Sequence, residues 1–369
     1  MNGAVGGGRR IVAPRMEIVN GTTCYVFPVT GLKVEGAWNV GPVTISSGSA
    51  ADEAVVDGVP SLCRPGEPLD DVRRAVLDAD TTADVVAASV AHALSLVREA
   101  LDVLRVFYRV ETSAVRTIGE FGLPGEVNSG YVPYLARPSH EGGFVHVGHF
   151  IGAELTDLLR DRWEFSKAFR FVASTIGGEC RNDGEGRAAR AVALLGQSLR
   201  SERDTSLQYA LTIFALDALL KGPGAGAQTY AVARRAIYFG CGRAGGGLCG
   251  RDRDTCSYLA LNPHFPRDRK KLDKLKSCDD VWWRCTEWLQ VVSWFDQRAG
   301  FVHHGEATKS VGGTFAPDYW IYASLLTPIL EWLKDHSYNP ISDLDSVLAA
   351  LPDPPDWSAR AVESGHGER

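Results

Sequence analysis

The run Ser277-Cys278-Asp279-Asp280-Val281-Trp282, continuing to Trp294-Phe295-Asp296-Gln297-Arg298-Ala299-Gly300-Phe301-Val302-His303-His304-Gly305, decides how the second half of this chain is read. Val281, Trp282, Cys285, Trp288, Leu289, Val292 and Phe295 recur at three- and four-residue spacing, the period of one buried helix face. Asp279 and Asp280 fall in the first turn, where carboxylates suit the positive helix end, and Ser277 with Asp280 approximates a capping box. Residues five apart on an unbroken helix lie about 140° apart, so Arg298 and His303 reach one ligand only if the helix stops or bends between them. Gly300 permits that. Arginine offers a fixed cationic fork for phosphate, and histidine moves a proton near neutral pH, the two services that phosphodiester transesterification requires. The same two residues also fit a helix-terminal cation and a turn histidine with no chemistry between them.

Outward from this helix, every long segment beyond residue 186 has helical period. The spacing predicts helices over about 187–202, 205–221, 227–240, 278–298 and 317–336, with Leu207, Leu211, Phe214, Leu216 and Leu219 on the second. Upstream the pattern differs. Cys24 to Val29, Leu32 to Val34 and Val43 to Ile45 are short β-branched and aromatic runs, cut by Asn20-Gly21, Gly31, Gly36 and Gly41-Pro42, and they predict strands joined by tight turns. About Thr82 to Arg109 reads as one long amphipathic helix with Asp84 in its first turn, and residues 114–152 return to strand-like runs. Arg160 to Ile176 is again helical in period.

The polar, glycine-bearing break from Gly177-Gly178 to Gly186 places a boundary near residue 182. The expected fold class is therefore multidomain, an α+β domain over 16–181 followed by an all-α helical bundle over 182–340. Residues 1–15 and 352–369 hold too few apolar side chains to offset the entropy of ordering, which predicts disordered ends.

Composition narrows the function classes. The chain has 369 residues, 45% hydrophobic and 23% charged, with a formal net charge of −6. That balance excludes a uniformly basic nucleic-acid binder while leaving local patches open. No apolar run approaches the roughly 20 residues that cross a bilayer, and Met1 to Arg15 lacks the apolar centre of a signal peptide, so a cytoplasmic protein without a membrane partner is expected. There is no phosphate-binding glycine loop and no nucleophile elbow.

Cys241 to Ser277 is longer than a helix connection needs. From Arg243 to Cys285 there are ten Arg and Lys against six Asp, and Arg267, Arg269, Lys270, Lys271 and Lys274 form the densest part of the run. Such a stretch suits an RNA backbone, with Tyr258 and Phe265 available to stack on bases; a solvated charged loop fits equally well. Cys241, Cys249, Cys256 and Cys278 are candidate ligands of a structural zinc that would staple a segment with little core of its own, with free thiols as the alternative. Cys285 is excluded from that set, since seven helical residues separate it from Cys278 by about 10.5 Å. His140, Glu141, His146 and His149 do not make a metal site, because strand alternation sends His146 and His149 to opposite faces.

The stretch Trp294 to Gly305 resembles the tyrosine-aspartate-x-arginine-serine-x-x-valine-histidine-glycine signature of ApeA-like HEPN domains, whose general pattern is Arg-x4–6-His. Phe214-Ala215-Leu216-Asp217-Ala218-Leu219-Leu220 is similar to the family's second helix, in which an acidic residue sits in an alanine-leucine frame. The likeness covers roughly 187–337, and departs in having Phe295 for tyrosine and Ala299 for serine. It implies a helical domain that dimerises so that two Arg/His pairs share one cleft, acting as a metal-independent endoribonuclease in toxins and phage defence. Arg298 and His303 would then be the catalytic pair, with His304 and Asp217 in support. It leaves the α+β domain as sensor, regulator or substrate guide for a phage-derived or other activating ligand. The competing class is a non-catalytic module of the same fold that binds RNA or a partner protein.

Overall fold

Between Thr23 and Ser47 four short strands follow one another, β1 (Thr23–Val29), β2 (Leu32–Val34), β3 (Ala37–Val40) and β4 (Val43–Ser47). Gly31, Gly36 and Gly41 turn the chain between them with φ of 75°, 70° and 62°, a backbone state that side-chain-bearing residues disfavour. A Cβ at Gly41 would also lie 2.7 Å from the Ala173 carbonyl oxygen. This computed structural model describes residues 23–47, 79–111, 121–123, 131–136, 141–146, 153–200, 205–223, 228–241, 291–295, 298–299 and 320–350. The expectations for residues 1–15 and 352–369 fall outside them.

The reading of 82–109 as one helix is corrected. Thr81–Ala87 is a strand, β5, and the helix, α1, spans Val90–Glu111. Val85, Val86 and Val90 satisfy a helical spacing, but Thr81, Thr82, Val85 and Val86 are β-branched, and β5 finds hydrogen-bonding neighbours on both sides, β1 and β4. Ala88-Ser89 separates the two elements, and the Ser89 hydroxyl oxygen accepts from the His92 amide at 3.3 Å to cap the helix. The antiparallel sheet has the order β1-β5-β4-β3. Its register puts Phe27 and Ile45 on either side of Ala83, and this face is buried in the same core as Val97, Leu101 and Leu104 of α1. Asp84, expected in a helix turn, instead sits between Val26 and Thr44 on the sheet's other face.

Strands β6 (Tyr131–Ala136) and β7 (Glu141–His146) form an antiparallel pair, and β8 (Ala153–Leu155) lies parallel to β2. Arg160 to Ile176 is not one helix but two, α2 (Asp157–Phe165) and α3 (Lys167–Ala173). Ser166 divides them by closing the first, donating its amide to the Trp163 carbonyl at 2.9 Å, and opening the second, its hydroxyl oxygen accepting from the Phe169 amide at 3.3 Å. Beyond residue 182 the described residues are helical: α4 (Asp183–Arg200), α5 (Thr205–Leu220), α6 (Gln228–Cys241), residues 291–295 and 298–299, a π-helical turn (Ile321–Leu325) running into α7 (Leu326–Asp335), and α8 (Pro340–Ala349).

An antiparallel sheet followed mostly by helices is thus the observed layout. Buried side chains continue across residue 182 without a gap, from Val43 and Val85 through Leu101 and Leu195 to Leu216 and Leu330. One polar joint crosses as well. Asp102 on α1 is buried, accepts from Arg105 at 2.6 Å and from Arg200 on α4 at 3.1 Å, and lies so close to Gly196 that a Cβ there would be 2.5 Å from its own. No helix among the described residues is long and apolar enough to cross a membrane.

Candidate functional site

Arg298 is positioned by the helical residues that precede it. Val291, Val292, Trp294 and Phe295 are buried, and the Trp294 ring meets Trp320 edge-on at 5.5 Å between centroids. Tyr209 of α5 donates its hydroxyl to the Trp294 carbonyl at 3.3 Å, and burial pushes its phenol above the ordinary range, so it stays a donor at physiological pH.

Phe214 and Asp217 of α5 and Lys221, the residue that follows it, are three and four positions apart, and the Lys221 amide still donates to the Asp217 carbonyl at 2.8 Å, which keeps all three on one side. Arg298 Nη1 donates to Asp217 Oδ2 at 3.4 Å, and Lys221 Nζ lies 3.9 Å from the same oxygen. The Arg298 guanidinium carbon lies 5.3 Å from the centroid of the Phe214 ring and 4.9 Å from that of Phe295, so two aromatic rings contact the cation. Its side chain keeps 21% exposure and that of Asp217 20%, which leaves both reachable from solvent. Arg298 Nε is buried and has no hydrogen-bond partner among the described residues. The outcome is a guanidinium held by ring contacts and by one long contact to a carboxylate, with donors left over for an anion.

Three carbonyls at and just past the end of α5 already have side-chain donors. Arg187 Nη1 donates to the Lys221 carbonyl at 2.6 Å and to that of Ala218 at 3.4 Å, and Arg235 Nη1 donates to Leu220 at 2.7 Å. Arg235 is fixed in turn by a two-point pair with Asp345 of α8, at 2.8 and 2.7 Å. These arginines cancel the negative helix end that would otherwise repel an anion.

Of the residues singled out by sequence, Arg298 and Asp217 are brought together across 81 positions. His303 and His304 lie outside the described residues, as do Arg267, Arg269, Lys270, Lys271, Lys274, Cys249, Cys256 and Cys278. Cys241 is the last residue of α6. Among the described residues no group of three His, Cys, Asp or Glu side chains is placed to hold a metal ion. Sequence reading missed the aromatic contacts and Lys221. The three-residue step from Phe295 to Arg298 and the 214, 217, 221 spacing on α5 are the signals that carry them. Comparison of the chain with protein-family models, curated proteins and solved structures finds no match.

Proposed function

We propose that this chain is a metal-independent endoribonuclease of the HEPN type. The observation that supports it is the meeting of Arg298 with Asp217: the two segments that resemble the family were identified separately, and their charged residues converge at 3.4 Å. In this reading Arg298 holds and neutralises the scissile phosphate. His303 takes the proton of the ribose 2′-OH as its oxygen attacks phosphorus, and the bond to the 5′-oxygen breaks. The leaving oxygen is protonated by the equivalent histidine of a second copy, since one imidazole does not easily serve as base and acid in the same step; hence the functional unit is a homodimer. The products are a 2′,3′-cyclic phosphate and a 5′-hydroxyl, with no water consumed and no cofactor for catalysis.

The same reading makes residues 16–181 a sensor, regulator or substrate guide for an activating ligand, and assigns the protein to the cytoplasm in anti-phage defence by abortive infection or as a toxin. Cys241, Cys249, Cys256 and Cys278 would hold a structural zinc outside the reaction.

The test is cleavage of RNA by the purified full chain in EDTA, beside His303→Ala and Arg298→Ala. Cutting by wild type alone, leaving 2′,3′-cyclic phosphate ends, is the expected result. Equal cutting by all three, or cutting abolished by EDTA, refutes the assignment. Binding of RNA by all three without cleavage, in the presence of the activator, assigns the chain to the non-catalytic class.

A further inference from the structure

A cavity of about 580 Å³ opens between α4 and the end of α5, within the roughly 300–1,000 Å³ typical of sites that take a small organic ligand. Its charged lining is Asp183, Arg187 and Arg190 from α4, Asp217 from α5 and Lys221 just past the end of α5, and Phe214 provides an aromatic wall. Phe214 and Asp217 are also the two α5 residues that touch Arg298, so whatever fills the cavity lies beside that guanidinium.

We propose that this cavity is a nucleotide subsite for single-stranded RNA, in which Arg190 and Lys221 bind the backbone phosphate next to the one held by Arg298. The proposal rests on the ribonuclease reading for the identity of the strand, and on the following observations for the site.

Three cations line the cavity against two carboxylates, Arg298 lies behind Phe214 and Asp217 as a fourth, and both carboxylates are occupied. Asp183 accepts from Arg187 Nε at 2.6 Å, and Asp217 is shared by Arg298 and Lys221. Arg187 is spent on that pair and on the α5 carbonyls. The charge available to a ligand is therefore that of Arg190 and Lys221. Arg190 is exposed and makes no hydrogen bond or ion pair among the described residues, while Lys221 is half exposed and only loosely paired at 3.9 Å. The negative end of α5 does not oppose an anion here, because Arg187 and Arg235 cover its last carbonyls. A phosphate alone would leave most of the volume empty, whereas a nucleotide brings a base to the Phe214 wall. Placement against Arg298 favours a strand over a free mononucleotide, since consecutive phosphates of one chain engage both positions.

The experiment is a salt titration of the full chain binding a fluorescent 2′-O-methyl oligoribonucleotide, which cannot be cleaved because it lacks the attacking hydroxyl. Arg190→Glu with Lys221→Glu is expected to weaken binding about tenfold or more at moderate salt and to reduce the slope of log K against log salt by about 0.7, the contribution of one phosphate contact to a single strand. Arg162→Glu, an exposed charge reversal on α2, serves as the control and should leave binding unchanged. Arg190→Gln with Lys221→Gln repeats the measurement with little structural risk. Wild-type affinity and slope in the folded glutamine and glutamate variants overturn the subsite, as does a wild-type chain that fails to bind. Saturation by adenosine 5′-monophosphate with no competition from the oligonucleotide reassigns the cavity to a free nucleotide and also overturns it. Charge-dependent binding without cleavage in the activated protein leaves the subsite standing and refutes the ribonuclease reading, so the two failures are distinguishable.

Discussion

Asp84 makes stability depend on pH in a direction opposite to most carboxylates. Its strand register places it between Val26 and Thr44, and its Oδ1 is buried without a hydrogen-bond partner among the described residues. Burial pushes its carboxyl from 3.8 to about 6, an effect only partly offset by the Thr82 hydroxyl, whose oxygen itself lacks a well-formed hydrogen bond. Burial and the nearby Asp84 carboxylate raise the Cys24 thiol as well. Because the folded value lies above the unfolded one, the folded state retains a proton that the unfolded chain has released between about pH 4 and 6. Stability is therefore greatest below pH 4 and declines as pH rises through 6, at a total cost of about 3 kcal/mol for this group. Asp84→Asn keeps the shape and removes the charge. At pH 8 it should unfold at higher urea, a gain of about 1–3 kcal/mol, and at pH 4 the two proteins should coincide. Tryptophan fluorescence follows the transition, since Trp38 on β3, the edge strand of the same sheet, is buried edge-on to Trp163 at 5.4 Å between centroids. An Asn variant that is less stable at pH 8, or that differs from wild type by the same amount at pH 4 and pH 8, refutes the reasoning.

Other perturbations test the joints of the fold and the site. Gly196→Ala forces a Cβ to 2.5 Å from that of Asp102 and should cost about 1–3 kcal/mol, read as a lowered Tm, with Asp102→Ala in the same chain recovering part of it. Arg235→Ala uncovers the buried Leu220 carbonyl and removes the partner of the partly exposed Asp345, and a loss of about 1–3 kcal/mol is expected by urea denaturation. Ser166→Ala removes the α3 cap at a cost of about 1 kcal/mol, whereas Ser166→Asp should retain it. Asp217→Asn weakens the hold on Arg298 while changing Tm little, because the pair is long and partly exposed. In the cleavage assay it should lower kcat more than it alters KM, with rescue by Asp217→Glu, and an unchanged kcat would show that Asp217 does not position the arginine.

The strands β1, β2 and β4 and the helices α4, α5 and α6 are legible in the chain alone, because alternation, helical period and turn glycines are properties of residues close together in sequence. So are Arg298 and Asp217 as charged positions on two helical segments. Thr81 to Ala87 is not: its spacing serves a helix or a strand, and the choice is made by β1 and β4 offering backbone partners from elsewhere. The split at Ser166 depends on its hydroxyl and amide both finding partners, which a period over Arg160 to Ile176 does not reveal. Nor does any local pattern show that Phe214 and Phe295 both contact Arg298, that Asp217 is shared with Lys221, or that a cavity opens beside them. Short-range regularity told the chain what elements to make, whereas the contacts that give the site its charge and shape join residues some 80 positions apart and exist only once the helices pack.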